Sequence, residues 1–452
     1  MFLAQPRARP YAVLAVILAA AVIDLLDSTI TNIAAPTIAA DLGGGETLIQ
    51  WLGAAYALAL GVLLVVGGRL GDKYGRRRLF LAGMAGFIVA STACGLAVTP
   101  AMLIVSRLVQ GAFGALLVPQ GFGILTTVFP REQRARAFSA FGPALGLSAV
   151  GGPILAGFLI QADLLGTGWR AMFLINLVLG GGALIAAHRL LPRDAGDRSV
   201  TLDGPGATLL ALTMLGLLYG LIDGSGHGWS ALPLGSLAAG LVCFALFCRR
   251  QVTAPAPLVV PSLLRNRGFT FGLVLSVVFF AAVSGLLYVL SLFMQNGLGY
   301  GPLQAALGLS PVAAGIVVAS IVCRRLVASL GRTLIFAGLL VTLAGVGWLL
   351  LLVPAPSAWL LACPVLVIGL GMGTCFGTVF DVTIGDVDPH EAGSASGSLT
   401  AVQQLANAIG AAAVVTVSFG SVAAALLLVA VAILACCGLV WLLPRRALAH
   451  HS

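Results

Sequence analysis

Long apolar stretches recur along the whole chain, and the short connections between them carry most of the charged residues. A run of about 20 apolar residues is long enough to cross the hydrocarbon core of a bilayer as a helix. The pattern predicts fourteen spans, near 11–38, 49–70, 79–98, 101–128, 136–161, 169–190, 204–222, 231–248, 269–295, 303–325, 333–353, 358–384, 394–418 and 420–443. We therefore expect an all-α polytopic membrane protein.

Basic residues lie almost wholly on one side of these predicted spans. Of the 24 Lys and Arg residues, all except Arg107 and Arg170 lie at the termini or in the connections from even to odd spans and their flanks. Because cytoplasmic loops are rich in Lys and Arg, the asymmetry places both termini in the cytoplasm. The first apolar run, from Tyr11 to about Ala40, is too long for a signal peptide, so we expect it to remain as span 1.

Two short segments recur in the second part of the chain at nearly the same spacing. Phe129-Pro130-Arg131-Glu132 resembles Asp388-Pro389-His390-Glu391, and Gly75-Arg76 resembles Gly331-Arg332. Such a duplication is typical of transporters built from two six-helix halves, and it leaves two further helices between them. The predicted parts are an N-terminal six-helix half at 1–198, two inserted helices at 199–250, a cytoplasmic linker at 251–268 and a C-terminal six-helix half at 269–452.

Composition excludes a soluble protein. Only 9% of the residues are charged and 60% are hydrophobic, whereas soluble domains carry about 25% charged residues. The net charge of +9 would suggest nucleic acid in a soluble protein, but here the arginines orient helices in the membrane. We therefore expect the lipid bilayer, and no nucleic acid, as a partner. The eight cysteines lie in or beside apolar runs, so we expect neither a disulfide nor a metal site.

A few ionisable residues lie within predicted spans, where a charge is costly and therefore suggests function. Asp24 and Asp27 are three residues apart on one face of span 1. Two carboxyl groups this close in a low dielectric do not both ionise readily, so one should hold a proton near neutral pH. This is the property that proton coupling requires. The alternative is that each carboxyl is a buried, hydrogen-bonded group that fixes helix packing.

Arg107 and Asp381 are the other candidates for proton coupling. Arg107 stays charged at any accessible pH and lies about 9 Å below the outer end of span 4, so it could contact Asp27 directly or through water. The alternative is a static ion pair that joins two helices. Asp381 lies about one helical turn from the cytoplasmic end of span 12, where it either takes part in coupling or simply reaches interfacial water.

The connection after span 2 reads Gly68-Arg69-Leu70-Gly71-Asp72-Lys73-Tyr74-Gly75-Arg76-Arg77-Arg78. It resembles the signature of the major facilitator superfamily between spans 2 and 3. The resemblance implies a conformational gate formed by Gly68, Asp72, Gly75, Arg76 and Arg77, in which Asp72 meets the positive end of a helix from the opposite half, near Gly393-Ser394. In the second-half copy Ala328 stands where Asp72 would be, so the gate is expected to be one-sided.

Three further segments resemble the fourteen-span drug:proton antiporters of that superfamily. The segment from Leu26 to Pro36 is similar to the span-1 motif, through Asp27, Thr29, Asn32 and Pro36. Arg107-Leu108-Val109-Gln110-Gly111 is similar to the span-4 motif, whose arginine is implicated in proton transfer. The glycine-rich run of span 5 resembles the antiporter motif of a kinked helix associated with exporters, through Gly146, Gly151, Gly152, Pro153 and Gly157. Asp24 is not part of the span-1 motif.

Together the resemblances, which cover essentially the whole chain, imply the major facilitator fold with two inserted helices. They imply proton-coupled efflux of hydrophobic or cationic small molecules of drug or antibiotic type. A dedicated exporter of one secondary metabolite would have much the same sequence, and a proton-coupled uptake transporter is the other alternative. We expect no cofactor other than the coupling proton, a monomer, and a place in the inner or plasma membrane.

Other classes of protein fit the sequence poorly. The only lysine, Lys73, is followed by Tyr74, so the chain has no phosphate-binding Gly-Lys-Ser/Thr loop of an ATP-driven pump. A membrane-embedded enzyme would need a convergent set of catalytic or metal-binding residues within the spans. The five histidines instead lie in predicted loops or in the C-terminal tail. We therefore expect no enzymatic activity.

Overall fold

The structure is a computed structural model of the 452-residue chain. It describes residues 10–130, 133–134, 137–138, 140–141, 143–144, 148, 151–152, 155, 158–159, 166–201, 203–255, 257–259, 261–300, 302–323, 326, 330–353, 358–384, 387–388, 391–418 and 421–443. Within these residues the regular secondary structure is entirely helical.

The first part of the chain forms long apolar helices. They are α1 Pro10–Leu42, α2 Gly45–Tyr74, α3 Arg76–Gly95, α4 Pro100–Val128 and, after a 3-10 turn at Gly168–Arg170, α5 Ala171–Leu190. Two further helices follow, α6 Gly204–His227 and α7 Ala231–Thr253. Helix α6 begins at Asp203, whose side chain accepts a hydrogen bond from the backbone N–H of Gly206 and so satisfies one free donor of the first turn.

Eight helices follow among the described residues of the second part. They are α8 Pro261–Arg265, α9 Arg267–Leu292 with a π-helical turn at Phe293–Gly297, α10 Pro302–Gly308, α11 Ser310–Cys323, α12 Arg332–Leu352, α13 Ala358–Ile384, α14 Ala392–Ser418 and α15 Val422–Leu439, followed by a 3-10 turn at Val440–Leu442.

Eleven helices in the described part of the chain are long and apolar enough to cross a membrane. They coincide with predicted spans 1–4, 6–9, 11, 12 and 14. Predicted span 13 corresponds to α14, a 27-residue helix that is not among the eleven. Span 10 corresponds to the two short helices α10 and α11, and span 5 lies mostly outside the described residues. A multi-pass all-α membrane protein is therefore confirmed, while the count of fourteen spans stays a prediction.

The helices pack in two groups. Helix α4 packs on α2 and α3, and α5 packs on α1 and α3. In the second group, α13 packs on α11 and α12, while α9 packs on α14 and α15. Helices α6 and α7 pack on each other, and α6 also contacts α2 and α14. The boundaries predicted for the two halves and the linker stay a prediction.

The two groups touch at the end of the molecule that carries the turn between α2 and α3. There the first turns of α14 lie between α2 and α4. The Ser396 hydroxyl donates to the Pro119 carbonyl at 3.3 Å, and a Cβ on Gly397 would come within 2.8 Å of the Leu64 carbonyl oxygen. Small residues at such positions let helix backbones approach closely in a membrane.

An aromatic stack makes a second contact between the groups at the same end. The ring of Phe122 in α4 lies 4.9 Å from that of Phe141 and 5.4 Å from that of Phe380 in α13, measured between ring centroids. Phe122 and Phe380 are each 7% exposed. Buried stacked rings add attraction to the burial of their apolar area, so this contact helps to hold the two groups together at this end.

Candidate functional site

Arg107 and Asp27 form an ion pair inside the first helix group. The guanidinium Nη1 of Arg107 donates to Oδ2 of Asp27 at 2.5 Å, and both side chains are only 1% exposed. The Nε of Arg107 also donates to the carbonyl of Leu52 at 3.2 Å. The pair therefore joins α1 to α4, and its arginine also binds the backbone of α2.

Two amides complete the surroundings of the Asp27 carboxylate. Its Oδ1 accepts from the Nε2 of Gln110 at 2.9 Å and from the Nδ2 of Asn176 at 2.7 Å. Gln110 accepts from Arg107 at 2.8 Å, and Asn176 contacts the Ser91 hydroxyl at 2.9 Å. Hydrogen bonds to an ionised carboxylate are stronger than those between neutral groups. The arrangement is thus suited to a negatively charged Asp27 inside the protein.

Asn176 and Ser91 were not among the residues that the sequence analysis selected. Each is a polar residue inside an apolar run, in predicted spans 6 and 3, and both are almost fully buried. Buried polar side chains in membrane helices require partners. A search for uncharged polar residues in the spans would have selected Asn176, but only the tertiary structure shows which acid it binds.

Asp24 has a different partner, the hydroxyl of Tyr56 in α2, which donates to Oδ1 of Asp24. The Tyr56 ring lies below the guanidinium of Arg107, whose carbon is 4.5 Å from the ring centroid. A cation over an aromatic face is attracted by the charge distribution of the ring. Tyr56 therefore lies between Asp24 and the Asp27–Arg107 ion pair, and the sequence analysis did not identify it.

Gly111 allows the close approach that brings these groups together. A Cβ at Gly111 would lie 2.4 Å from the carbonyl oxygen of Tyr56, closer than atoms of real side chains come. Helix α4 can therefore contact α2 at this level only with a glycine at this position. The contact places the Tyr56 ring against Arg107, which is one turn earlier in α4.

The antiporter motif of predicted span 5 approaches α1 beside the same network. The hydroxyl of Thr29 donates to the carbonyls of Leu25 and Leu26 within α1. A Cβ on Gly152 would come within 2.1 Å of the Thr29 hydroxyl oxygen, and one on Gly151 within 3.9 Å of Leu26. The other predicted motif positions, Gly146, Pro153 and Gly157, lie outside the described residues, as do the side chains of Asn32 and Pro36.

The predicted gate residues meet at the turn between α2 and α3. Gly75 forms the turn with φ +98°, a conformation that favours glycine. Arg76 pairs with Asp72 at 3.0 Å and donates to the Gly123 carbonyl of α4 at 2.9 Å. Gly68 is buried in α2, one turn before Asp72. Arg76 thus connects the turn to α4. Helix α14, which was predicted to meet Asp72, packs against both α2 and α4.

A segment that follows α5 also binds this turn, and the sequence did not indicate this contact. The carboxylate of Asp194 accepts from the backbone N–H groups of Arg76 at 2.5 Å and Arg77 at 3.0 Å. These are unpaired donors of the first turn of α3, and an acid there also interacts favourably with the helix dipole. The Arg77 guanidinium donates to the His188 carbonyl at 2.6 Å, and the backbone N–H of Asp197 donates to the Asp72 carbonyl at 2.8 Å.

Asp381, the remaining candidate for proton coupling, and Arg170, the second exception to the charge asymmetry, lie away from the network. At the opposite end from the α2–α3 turn, Arg170 pairs with Asp41 at 3.0 Å. Hydrogen bonds from Trp169 and Arg170 hold the pKa of Asp41 below its ordinary value. Asp381 lies in the last turn of α13, in the second helix group, and is 9% exposed. Its predicted part in proton coupling stays a prediction.

The described residues also bear on metal binding. Over the described part of the chain, no group of three or more His, Cys, Asp and Glu side chains could hold a metal ion. The buried network consists of an arginine, two carboxyl groups, a phenol and amides. Its carboxyl groups can bind and release protons, and the other groups supply hydrogen bonds and a fixed positive charge.

Comparison with known proteins identifies the family of this chain. The family model described as Major Facilitator Superfamily matches residues 17–411. A probable actinorhodin transporter of Streptomyces coelicolor is 44% identical over 92% of this chain and 73% of its own length. The tetracenomycin C resistance and export protein of Streptomyces glaucescens is 36% identical over 66% of this chain and 55% of its own.

A solved structure shows the same fold. The human organic anion transporter TETRAN superposes with a TM-score of 0.72 at 17% identity, over 96% of this chain and 100% of that one. The match of family and fold confirms the resemblance to the major facilitator superfamily that the motifs indicated. The chain belongs to the Major Facilitator Superfamily and is a membrane transporter, not an enzyme.

Proposed function

We propose that this transporter exports antibiotic-type small molecules in exchange for protons. The observation that carries the proposal is the Asp27–Arg107 ion pair, buried with two amide donors inside the membrane-spanning helices. Removing two charges from water costs several kcal/mol for each ion, even when they pair well. Such a pair joins helices at high cost, and a role in coupling protonation to helix movement explains its presence better than packing does.

The network supplies a mechanism for coupling. A proton that enters it neutralises a carboxyl group, while Arg107 stays charged and must keep or replace its partners. The free energy of the arrangement of α1, α2 and α4 thus depends on protonation. If substrate and proton favour opposite members of the same pair of conformations, each drives the movement of the other.

The orientation follows from the charge pattern. We place the α2–α3 turn, both termini and the linker at 251–268 in the cytoplasm, in the plasma or inner membrane, because Lys and Arg concentrate there. The contacts of α14 with α2 and α4, and the stack of Phe122 on Phe380, then close the cytoplasmic side. Asp72, Arg76 and Arg77 act as the gate that holds the turn in this closed arrangement.

The halves at 1–198 and 269–452 move against each other, with the inserted helices at 199–250 beside them. Each chain holds one complete translocation pathway, so we propose that it acts as a monomer, without nucleic acid and without any cofactor except the proton. The two six-helix halves are typical of transporters in which one half rocks against the other around a central site.

The substrate is proposed from the relatives. Their names refer to actinorhodin and to tetracenomycin C, and one of the names includes both resistance and export. These names support export of hydrophobic or cationic antibiotics. They equally support the second candidate, dedicated export of one secondary metabolite, because each of these names refers to a single compound. No observation favours uptake.

Efflux of ethidium from preloaded cells of an efflux-deficient bacterium tests the proposal. We expect wild-type efflux to stop when a protonophore is added and to be lost in Asp27→Asn. Asp41→Asn is the matched control, because Asp41 is half-exposed and outside the buried network. Normal pumping by Asp27→Asn against a gradient would contradict the assignment of the network. If ethidium is not transported, the same cells are tested for resistance to a panel of antibiotics.

A further inference from the structure

The two carboxyl groups of α1 lie in unequal surroundings. Asp27 accepts three hydrogen bonds, one from the positively charged Arg107 and two from amides. The one hydrogen bond described for Asp24 comes from the neutral Tyr56 hydroxyl. A positive charge at this distance favours the ionised form of a carboxyl group, whereas burial without one favours the protonated form. The geometry therefore distinguishes the two acids, although they are only three residues apart.

Burial and hydrogen bonding also differ between them. Asp27 is 2% exposed, whereas the side chain of Asp24 is less completely enclosed. A proton can bind Asp24 without breaking the ion pair, because Asp24 is not a member of it. A proton that binds Asp27 would have to displace one of its hydrogen-bond donors, which are Arg107, Gln110 and Asn176.

Among the described residues, few titratable or charged groups surround Asp24. They are Asp27 on α1, Tyr56 on α2 and Arg107 on α4, and the polar residue that α5 contributes to the network is the uncharged Asn176. Tyr56 is the residue that connects Asp24 to the rest. Its hydroxyl binds Asp24, its ring faces Arg107, and it is 3% exposed.

We propose that Asp24 holds the exchangeable proton in this conformation while Asp27 remains ionised against Arg107, and that Tyr56 is a positioning residue that links the two acids. This inference rests on the proposed proton coupling and assigns the proton to an acid outside the span-1 motif. Protonation removes the negative charge of Asp24 and therefore weakens the hydrogen bond that its carboxyl group accepts from the Tyr56 hydroxyl. The Tyr56 ring then carries that change to Arg107 and thus to the contact between α1, α2 and α4.

The test uses the purified full-length transporter in lipid bilayers without any substrate. Infrared difference spectra between acidic and alkaline buffer detect the carbonyl stretch of a protonated carboxylic acid. The other carboxyl groups of the chain also protonate in acid, so the component of Asp24 is the part of the band that Asp24→Asn removes. We expect this component in the wild type and in Asp27→Asn. Tyr56→Phe should move the midpoint of its pH titration. Tyr219→Phe makes the same substitution on α6, where the Tyr219 ring lies beside Trp51 of α2. It should leave the midpoint unchanged.

The outcomes separate this inference from the proposed function. A band that Asp24→Asn leaves unchanged but Asp27→Asn reduces overturns the assignment to Asp24 and leaves proton coupling intact. A band that neither substitution changes overturns both. A titration that Tyr56→Phe and Tyr219→Phe leave equally unchanged removes Tyr56 from the link. Because the spectra need no transport, a variant that folds but does not pump still gives a result.

Discussion

The carboxylate of Asp27 receives donors from two other helices, α4 and α5, and this explains how a charge is retained inside a membrane protein. Arg107 supplies the opposite charge, and Gln110 and Asn176 bind the oxygen that the arginine does not. Removing one partner of such a cluster costs more than the cluster contributes, because the remaining charge stays buried without compensation. The individual amides should therefore be important for both stability and transport.

We predict that Asn176→Ala lowers the free energy of unfolding by about 1.5–3 kcal/mol, the usual value of a hydrogen bond to a charged group. Proton-driven efflux should fall with it, because Asp27 loses a donor at 2.7 Å. Thermal unfolding in detergent and efflux assays measure the two effects. The control is Asn407→Ala, which removes a long hydrogen bond of 3.5 Å on α14. Equal effects of both substitutions would show that the hydrogen bond from Asn176 to Asp27 contributes no more than the long hydrogen bond of Asn407.

At the scale of the helix, glycine positions decide which backbones can meet. Gly111 lies against the carbonyl of Tyr56, whereas a Cβ on Gly182 in α5 would have no neighbour within 4 Å. In a membrane the association of helices depends on such close packing, because lipid tails already satisfy apolar side chains. The contact between α2 and α4 is thus what sets the distance between Tyr56 and Arg107.

We predict that Gly111→Ala destabilises the protein by about 1–3 kcal/mol, since an added methyl group forces two backbones apart. Efflux should be lost, because the Tyr56 ring moves away from Arg107. Gly182→Ala makes the same chemical change where space is free, and it should leave both stability and efflux near wild type. The comparison is made by thermal unfolding and by efflux from the same cells. A normal Gly111→Ala variant would show that α2 and α4 can separate without consequence.

At the scale of the whole molecule, the two helix groups meet through particular side chains, several of them at the end that carries the α2–α3 turn. The described contacts there include Phe122 with Phe380, Ser396 with Pro119, and Gly397 with Leu64. Each contact joins a helix of the first group to one of the second. Rocking of the halves must break all of them, so they set how stable the closed arrangement is.

We predict that Phe380→Ala shifts the population away from the closed arrangement, because it removes the aromatic contact between α4 and α13. Spin labels at the exposed positions Arg78 and Arg265 report the separation of the two groups at this end. Their distance distribution should move to longer distances in Phe380→Ala. In Phe336→Ala, whose ring packs on Trp441 within the second group, it should stay as in the wild type. An unchanged distribution in both variants would exclude the stack as part of the closure.

Much of the architecture and part of the site could be read from the sequence. The apolar runs identified most membrane helices, because the length of a span is a local property of the chain. The motifs identified Asp27, Arg107, Gln110 and Gly111, which the structure places together. The two exceptions among the basic residues are both paired with acids: Arg107 with Asp27 in the buried network, and Arg170 with Asp41 at the opposite end from the α2–α3 turn.

The partners of these residues could not be predicted from the sequence. Tyr56 follows Asp24 by 32 positions, Asn176 follows Asp27 by 149, and Asp194 follows Arg76 by 118. Composition and periodicity describe a helix and its neighbours along the chain, whereas these contacts depend on how helices pack across the molecule. By itself the sequence determined that this is a multi-pass transporter with acids in its first span. Only the tertiary structure decided which acid faces the arginine and which faces the tyrosine, because that depends on helix rotation and on close approach at Gly111.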